Sequence, residues 1–486
     1  MRTFAIAIAL LLLAAAAALG SQARAHTPGI AQKAIEAPRS SGAAKKKAGL
    51  VEQVACSSAK ECAALGGWLY TEQGGKWKAR KAPSLVLAGS ANLRSLACST
   101  PGRCEAVGTA GAQHVVHVSE SGRLWKVGAV ALPPDAAAID PPSGPQPSLS
   151  SVSCFPTAGC VAVGGYQASD DTTHPLLVPM SGGNWHAGTT AQLPANAATS
   201  PGPDFPGAGG GLSFVACQNA GHCTAVGTYV NADASDSDYP WVLTETGGHW
   251  ARGAEARLPA NASVLGDLER GASPFFGFTG LSCPSAGNCT AVGGYEDKAG
   301  AEEGLLLAER KGVWSQGVNA PLPRKAIPNS EPNEFTTPLT SVSCAAPNDC
   351  AAAGWYVINR SGKEHGLLLT ERAGTWKASA LVLPAKARAP GGVFLTSVSC
   401  PARGSCVAVG YYGNHGKTHG LVVRERGGKW GRAVNAALPT NAAPPGKSHT
   451  FLNSVVCPSP RSCLAGGYYA DRSHVTQGLL LNLRLR

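Results

Sequence analysis

The chain has 486 residues, with 41 Lys and Arg against 30 Asp and Glu, a formal charge of +11. Charged residues make up only 15% of it, while 60 glycines and 35 prolines punctuate its whole length. Such a density of breakers excludes a helical protein and favours short strands joined by turns. The mild, scattered positive charge carries no nucleic-acid motif.

Arg2 precedes an apolar run from Phe4 to Leu19, and Ala23-Arg24-Ala25 follows. A charged start, an apolar core and an A-x-A site are the layout of a secretory signal peptide, and the run is short for a membrane anchor. Residues 1–25 are therefore expected to be removed, leaving 39 basic against 30 acidic side chains. No later segment of the sequence is long and apolar enough to span a membrane. Residues 26–50 form an N-terminal segment that ends in a basic linker with Lys45-Lys46-Lys47.

From residue 51 to 486 one phrase recurs. Cysteines fall in pairs: Cys56 with Cys62, Cys98 with Cys104, Cys154 with Cys160 and Cys217 with Cys223. Four more follow: Cys283 with Cys289, Cys344 with Cys350, Cys400 with Cys406 and Cys457 with Cys463. Every pair is C-x5-C, none is left over, and successive pairs stand 42 to 66 residues apart. An alternating stretch such as Ser341-Val342-Ser343 leads into the first cysteine, and the second opens a small apolar run such as "CVAVGYY". A third run ("GLLLAE", "GLLLTE", "GLVVRE") follows a loop, and a Gly turn then delivers a Trp that begins a fourth. These are four antiparallel strands, lettered A to D, and four-stranded units at this period predict an all-β, eight-bladed propeller.

The last repeat stops after strand C at Gly478–Arg486. Ile30–Ala37 can supply its missing strand D, because Ile30 and Pro38 are spaced like the Trp and Pro of the full repeats.

Each C-x5-C brackets the A–B hairpin turn. Cysteines facing each other across adjacent strands suit a disulfide in an exported protein. Zinc sites favour C-x2-4-C with a matching pair nearby, which eight separate blades do not offer. The expectation is eight structural staples, with no metal and no cofactor.

The C–D turns read "EQGGKW" (Glu72–Trp77), "ETGGHW" (Glu245–Trp250) and "ERGGKW" (Glu425–Trp430). They resemble the Asp-box, S-x-D-x-G-x-T-W, of sialidase-type propellers, with Glu72, Glu245 and Glu425 at the Asp position. The repeat as a whole resembles exported bacterial propellers of unassigned function that carry "SCPS…C.AVG", over roughly residues 50 to 486. Departures from the Asp-box are Val423 at its Ser position, Glu for Asp, and Met180 in the third repeat. The Asp-box resemblance implies a folding element on the face opposite a sialidase active site. The arginine triad, Tyr–Glu pair and Asp acid/base of sialidases cannot be assigned here. Locally, Gly is expected to make the turn, Trp to pack between blades and Glu to cap the turn backbone.

Loop variety lies at the other end of each blade, in the B–C and D–A connections, where any ligand site is expected. His365 and His419 stand at matching places just before strand C, with His174, Glu303 and Gln477 in similar places. Projection around the central channel is one reading of them, solvated loop residues the other. In "NADASDSD", Asp233, Asp236 and Asp238 offer oxygen ligands but lack the Gly and terminal Glu of a calcium loop. Tyr166, Tyr229, Tyr295, Tyr356, Tyr412 and Tyr469 end strand B, for sugar stacking or for packing between blades. No G-x-S-x-G, H-E-x-x-H, P-loop or dinucleotide fingerprint is present, so no catalytic set is assigned. The expectation is a secreted or cell-surface binding or scaffolding module for an extracellular carbohydrate, envelope polymer or protein. A secreted glycoside hydrolase or polysaccharide lyase is the alternative.

Overall fold

A computed structural model describes residues 30–38, 49–80, 91–111, 114–122, 124–137, 146–157, 159–200, 208–232, 238–263, 276–324, 326–327, 338–358, 363–385, 387, 391–414, 416–444 and 449–486. The signal-peptide and basic-linker assignments lie outside these residues. The strands form eight antiparallel sheets, one for each cysteine pair. In the seventh, Gly391–Ala402, Ser405–Asn414 and Lys417–Arg426 are strands A, B and C, and Lys429–Trp430 begins D. Neighbouring A strands lie side by side, and the first (Val51–Ser58) also meets the last (Thr450–Ser459), so the sheets close a ring. The fold is an eight-bladed β-propeller.

Both chain ends build the last blade. Ile30–Glu36 pairs antiparallel with the final strand, in register from Ile30↔Leu485 to Glu36↔Leu479. Ile30 and Ala34 pack on a core that joins Val407 and Val422 of the seventh blade to Leu479 and Leu481 of the eighth.

All eight expected disulfides are formed, each within its own pair. In the first four blades Cys56 bonds to Cys62, Cys98 to Cys104, Cys154 to Cys160 and Cys217 to Cys223. In the last four Cys283 bonds to Cys289, Cys344 to Cys350, Cys400 to Cys406 and Cys457 to Cys463. The paired Cα atoms lie 3.9 to 4.1 Å apart, closer than the roughly 4.5 Å of a non-hydrogen-bonded facing pair on antiparallel strands. The second cysteine of each pair is the deeper one: Cys62, Cys104, Cys160, Cys223, Cys289, Cys350, Cys406 and Cys463 are all buried.

The serines before the first cysteine join neighbouring blades. Strand A is the inner edge of its sheet, and an unpaired edge leaves N–H groups without acceptors. The hydroxyls of Ser397 and Ser399 accept from Val455 N and Cys457 N of the next blade at 3.1 and 3.0 Å. Ser341 and Ser343 do the same for Val398 N and Cys400 N. The glycine of each "AVG" run is forced by close approach. A Cβ on Gly410 would lie 2.0 Å from the strand A carbonyl of Phe394, and one on Gly354, the matching glycine of the sixth blade, 1.7 Å from that of Pro338.

Each strand A also carries a register shift four residues before its first cysteine, as between Leu395 and Ser397. Such a bulge re-aims the extra side chain. Thr340 and Thr396, at that position, donate to the next blade's Leu395 and Leu452 carbonyls at 2.7 Å.

The C–D turns depart from expectation. Trp125 and Trp430 do reach the preceding blade, donating to Thr71 and Thr370. Their partner glutamates, however, are not turn caps. Glu309, Glu371 and Glu425 are buried. Arg310 and Arg372 of the preceding blades hold Glu371 and Glu425, while both Glu309 oxygens lack a partner. The side chain points into the seam, which puts the carboxylate beyond reach of its own turn's N–H groups.

Candidate functional site

At the loop end, six positions repeat in register. The tyrosine closing strand B faces a residue near the start of strand C: Tyr166↔His174, Tyr229↔Tyr239, Tyr295↔Glu303, Tyr356↔His365, Tyr412↔His419 and Tyr469↔Gln477. Strand C is third from the axis, so His174, Glu303, His365 and His419 belong to separate blades rather than to the rim of the channel. Asp238 sits one step outward, opposite Val230, and is exposed. Asp233 and Asp236 lie outside the described residues. Among the described residues, no group of three or more His, Cys, Asp or Glu side chains could hold a metal ion.

The six tyrosines are buried, which removes them from sugar stacking. In three blades the hydroxyl ties the sheet to the turn before it. Tyr229, Tyr295 and Tyr469 donate to Asn196, Asn261 and Asn441 at 3.1, 3.0 and 2.8 Å. Those asparagines sit in Leu-Pro-x-Asn-Ala turns, closed by bonds such as Ala262 N to Pro259 O at 2.9 Å. In the third blade Asp135 replaces Asn and accepts from Tyr166 at 3.0 Å, with His174 Nδ1 3.2 Å from Asp135 Oδ2. The imidazoles of His365 and His419 lie against Tyr356 and Tyr412, with ring centroids 5.6 and 5.2 Å apart. Burial holds both imidazoles below the usual histidine range, with Lys363 and His449 pushing the same way. Burial, aided by Asp297, pushes Glu303 up to about 7.

One residue earlier, side chains face the other side of strand B. There Trp355, Tyr411 and Tyr468 interleave with Phe394 and Phe451 of strand A. The five rings run from the sixth blade to the eighth with successive centroids 6.0, 5.3, 4.6 and 4.8 Å apart. Trp355 is buried and the other four rings are half-buried. Among the described residues, the Tyr411 and Tyr468 hydroxyls have no protein partner. Sequence reasoning weighed only the other tyrosine of each doublet. The signal was present in Trp355-Tyr356, Tyr411-Tyr412 and Tyr468-Tyr469 and in a Phe six residues before each of two cysteine pairs.

Across the ring, between the third and fourth blades, the same end is hollow. A cavity of about 230 Å³ opens there, lined by small polar residues including Ser148, Ser150, Ser213 and Thr228.

The disulfide end also carries perturbed acids. Burial pushes Glu105 up to about 7, opposed by bonds from Ser119 and Trp185, and burial also raises Glu120. Both line a cavity of about 80 Å³, and both are buried.

No family model matches the chain, and no curated protein matches it. Among solved structures, an ulvan lyase of a polysaccharide lyase family superposes on 78% of this chain and 90% of its own, at 11% identity and TM-score 0.44. The WD40 domain of SCAP from fission yeast covers 93% of this chain and 98% of its own, at 7% identity and TM-score 0.42. A fungal lectin from Aleuria aurantia, a six-bladed propeller, covers 70% and 97%, at 11% identity and TM-score 0.34. Similarities this low carry no argument about activity. The blade count and the propeller assignment rest on this chain's own strand order and closed ring.

Proposed function

We propose that this protein is a secreted binding propeller whose loop end takes an extracellular carbohydrate. The aromatic arc over blades six to eight carries the reading. Sugar rings present C–H edges that pack on aromatic surface and hydroxyls that need partners, and the arc offers both. Four of its rings are half-buried, so part of each is still reachable from solvent, and two end in hydroxyls that the protein leaves unbonded among the described residues. Eight disulfides accord with an oxidising, extracellular setting. Among the described residues, no helix is long and apolar enough to cross a membrane.

The alternative, a glycoside hydrolase or lyase, calls for carboxyl groups roughly 5–10 Å apart in an open cleft. The perturbed pair Glu105 and Glu120 sits at the disulfide end, buried around a cavity of about 80 Å³ that is too small for a sugar unit. That pair therefore does not supply such a cleft. At the loop end burial raises Glu303, with Asp297 contributing, and the reducing-end assay below tests that pair directly.

The test is affinity electrophoresis of the oxidised protein in gels containing plant, algal and bacterial cell-wall polysaccharides, with reducing ends assayed in parallel. Retardation by at least one neutral polysaccharide is expected, weakened when Tyr411→Ala and Tyr468→Ala are combined, with no new reducing ends. Unretarded migration in every gel rejects the carbohydrate reading, and new reducing ends reject the non-enzymatic one.

A further inference from the structure

The seam between the third and fourth blades departs from the repeat. The strand B residue preceding the position of the buried tyrosine stands against a strand A residue of the next blade at equivalent positions, as Trp355 does with Phe394, Tyr411 with Phe451 and Gly165 with Gly211. At seven of the eight seams at least one of the two carries a side chain, as with Thr228 against Gly277 or Tyr411 against Phe451. Only Gly165 against Gly211 has glycine on both sides.

That seam is hollow. Where Tyr411 and Phe451 fill the gap with rings 4.6 Å apart, Gly165 and Gly211 leave the cavity of about 230 Å³. The flanking positions follow suit: Phe394 is matched by Ser148 and Tyr468 by Thr228, and both small residues line the cavity. The backbone does not demand these glycines. A Cβ on Gly211 would meet nothing within 4 Å, and one on Gly165 nothing nearer than 3.5 Å. Neither has a left-handed φ. The repeat therefore tolerates aromatics here, and the hollow is a departure rather than a constraint of the fold.

The bulge residues add a second, independent observation. Thr340 and Thr396 spend their hydroxyls on the next blade's carbonyls. Ser150 and Ser213, at the same bulge and on the cavity wall, make no such bond and have no protein partner among the described residues. Both are half-buried. The cavity is polar and open to solvent on one side, so it holds water or a ligand.

We propose that this seam is a binding pocket for one neutral sugar unit, with Ser150 and Ser213 as hydrogen-bonding groups and the gap between Gly165 and Gly211 as the space for the ring. The size agrees. At about 230 Å³ the cavity lies below the roughly 300–1,000 Å³ of drug-sized sites. The wall offers hydroxyls, an amide and backbone groups, with no charged side chain among its lining residues. That selects a neutral polyol ring over an anionic one. Bound there, the sugar displaces ordered water and replaces its hydrogen bonds.

This inference rests on the carbohydrate reading and is separable from it. Calorimetric titration with the methyl pyranosides of glucose, galactose, mannose, xylose and rhamnose tests the pocket. The polysaccharide gels above test the wider reading. Gly165→Tyr combined with Gly211→Phe installs aromatics where the seventh and eighth blades carry them and should keep the fold, checked by circular dichroism. It should abolish binding of at least one glycoside. Ser150→Ala combined with Ser213→Ala, which adds no bulk, should weaken binding about tenfold. Glycoside binding that survives both double variants overturns the pocket and leaves the carbohydrate reading intact. So does retardation in gels with no glycoside bound by the wild type. No binding in either experiment overturns both.

Discussion

Arg310 of the fifth blade places its Nη2 2.9 Å from the Glu371 carboxylate of the sixth. One blade on, Arg372 repeats the reach to Glu425 at 2.7 Å. Each arginine directly follows the glutamate of its own turn, so the ladder steps by one blade at a time. It has no lower rung. The position that would serve Glu309, directly after Glu245 in the fourth blade, holds Thr246, and Glu309 is left buried with both oxygens unpartnered.

Removing a rung should cost stability in a pH-dependent way. Burial raises Glu371 and Arg310 pulls it back. Arg310→Ala leaves a buried carboxylate without its cation, a loss of about 2 kcal/mol once the partial exposure of the arginine is discounted. Urea unfolding should show a larger loss at about pH 8 than at about pH 5, because removing Arg310 takes away a cation that holds the buried carboxyl down and so favours its protonated form. Arg310→Ala combined with Glu371→Gln should recover part of it. Adding the absent rung works in the other direction: Thr246→Arg, at an exposed position, should stabilise the protein by about 1 kcal/mol at about pH 8. A Thr246→Arg protein no more stable than wild type at that pH would show that Glu309 does not follow the ladder.

Stability as a whole should favour mild acid. Burial pushes Glu72 and Glu105 up to about 7 from an ordinary 4.5, and it raises Glu309 as well. The folded state holds these protons more tightly than the unfolded chain. Their contribution is thus fully present below about pH 4.5 and is lost as pH rises through about 7. Thermal melts should show Tm falling between about pH 5 and about pH 8, and Glu309→Gln should flatten the slope. A Tm that rises across this range contradicts the assignment.

Closure by the N-terminal strand makes a third prediction. Deleting Ile30–Ala37 uncovers the edge of the last strand, from Leu479 to Leu485, and removes the Ile30 and Ala34 contacts. Tm should fall by several degrees, roughly 4 °C or more, and the bare edge should promote association seen by light scattering. A truncated protein that melts at the wild-type temperature as a monomer would mean that the ring closes without this strand.

Much of the architecture was legible from local pattern alone. The C-x5-C pairs, alternating runs and Gly turns repeat, and each reports a relation within a single hairpin: cross-strand cysteines, paired strands and turn geometry. Cys400 and Cys406 face each other because the A–B turn between them is tight, and the same holds in every blade. Even the pairing of an N-terminal strand at Ile30–Ala37 with the final strand was readable, because the repeat itself lacked a strand and this segment matched its spacing, while the register from Ile30↔Leu485 to Glu36↔Leu479 came from the structure.

What sequence alone could not determine lies at the seams, because seams join residues that no hairpin brings together. The two serines of "SVSC" appear as an alternating strand pattern, and only the ring shows that they satisfy the edge N–H groups of the next blade. The doublet Tyr411-Tyr412 looks like one aromatic feature. Strand alternation puts Tyr412 into a buried hydrogen bond with Asn435 and Tyr411 into the arc. Gly165 and Gly211 are unremarkable among 60 glycines until blade packing sets them face to face, and then their missing side chains become a cavity. Local sequence determined the blades, their staples and the closing strand. The tertiary structure decided which side chains meet between blades, because packing across a seam depends on the relative placement of two sheets, which no periodicity within one repeat encodes.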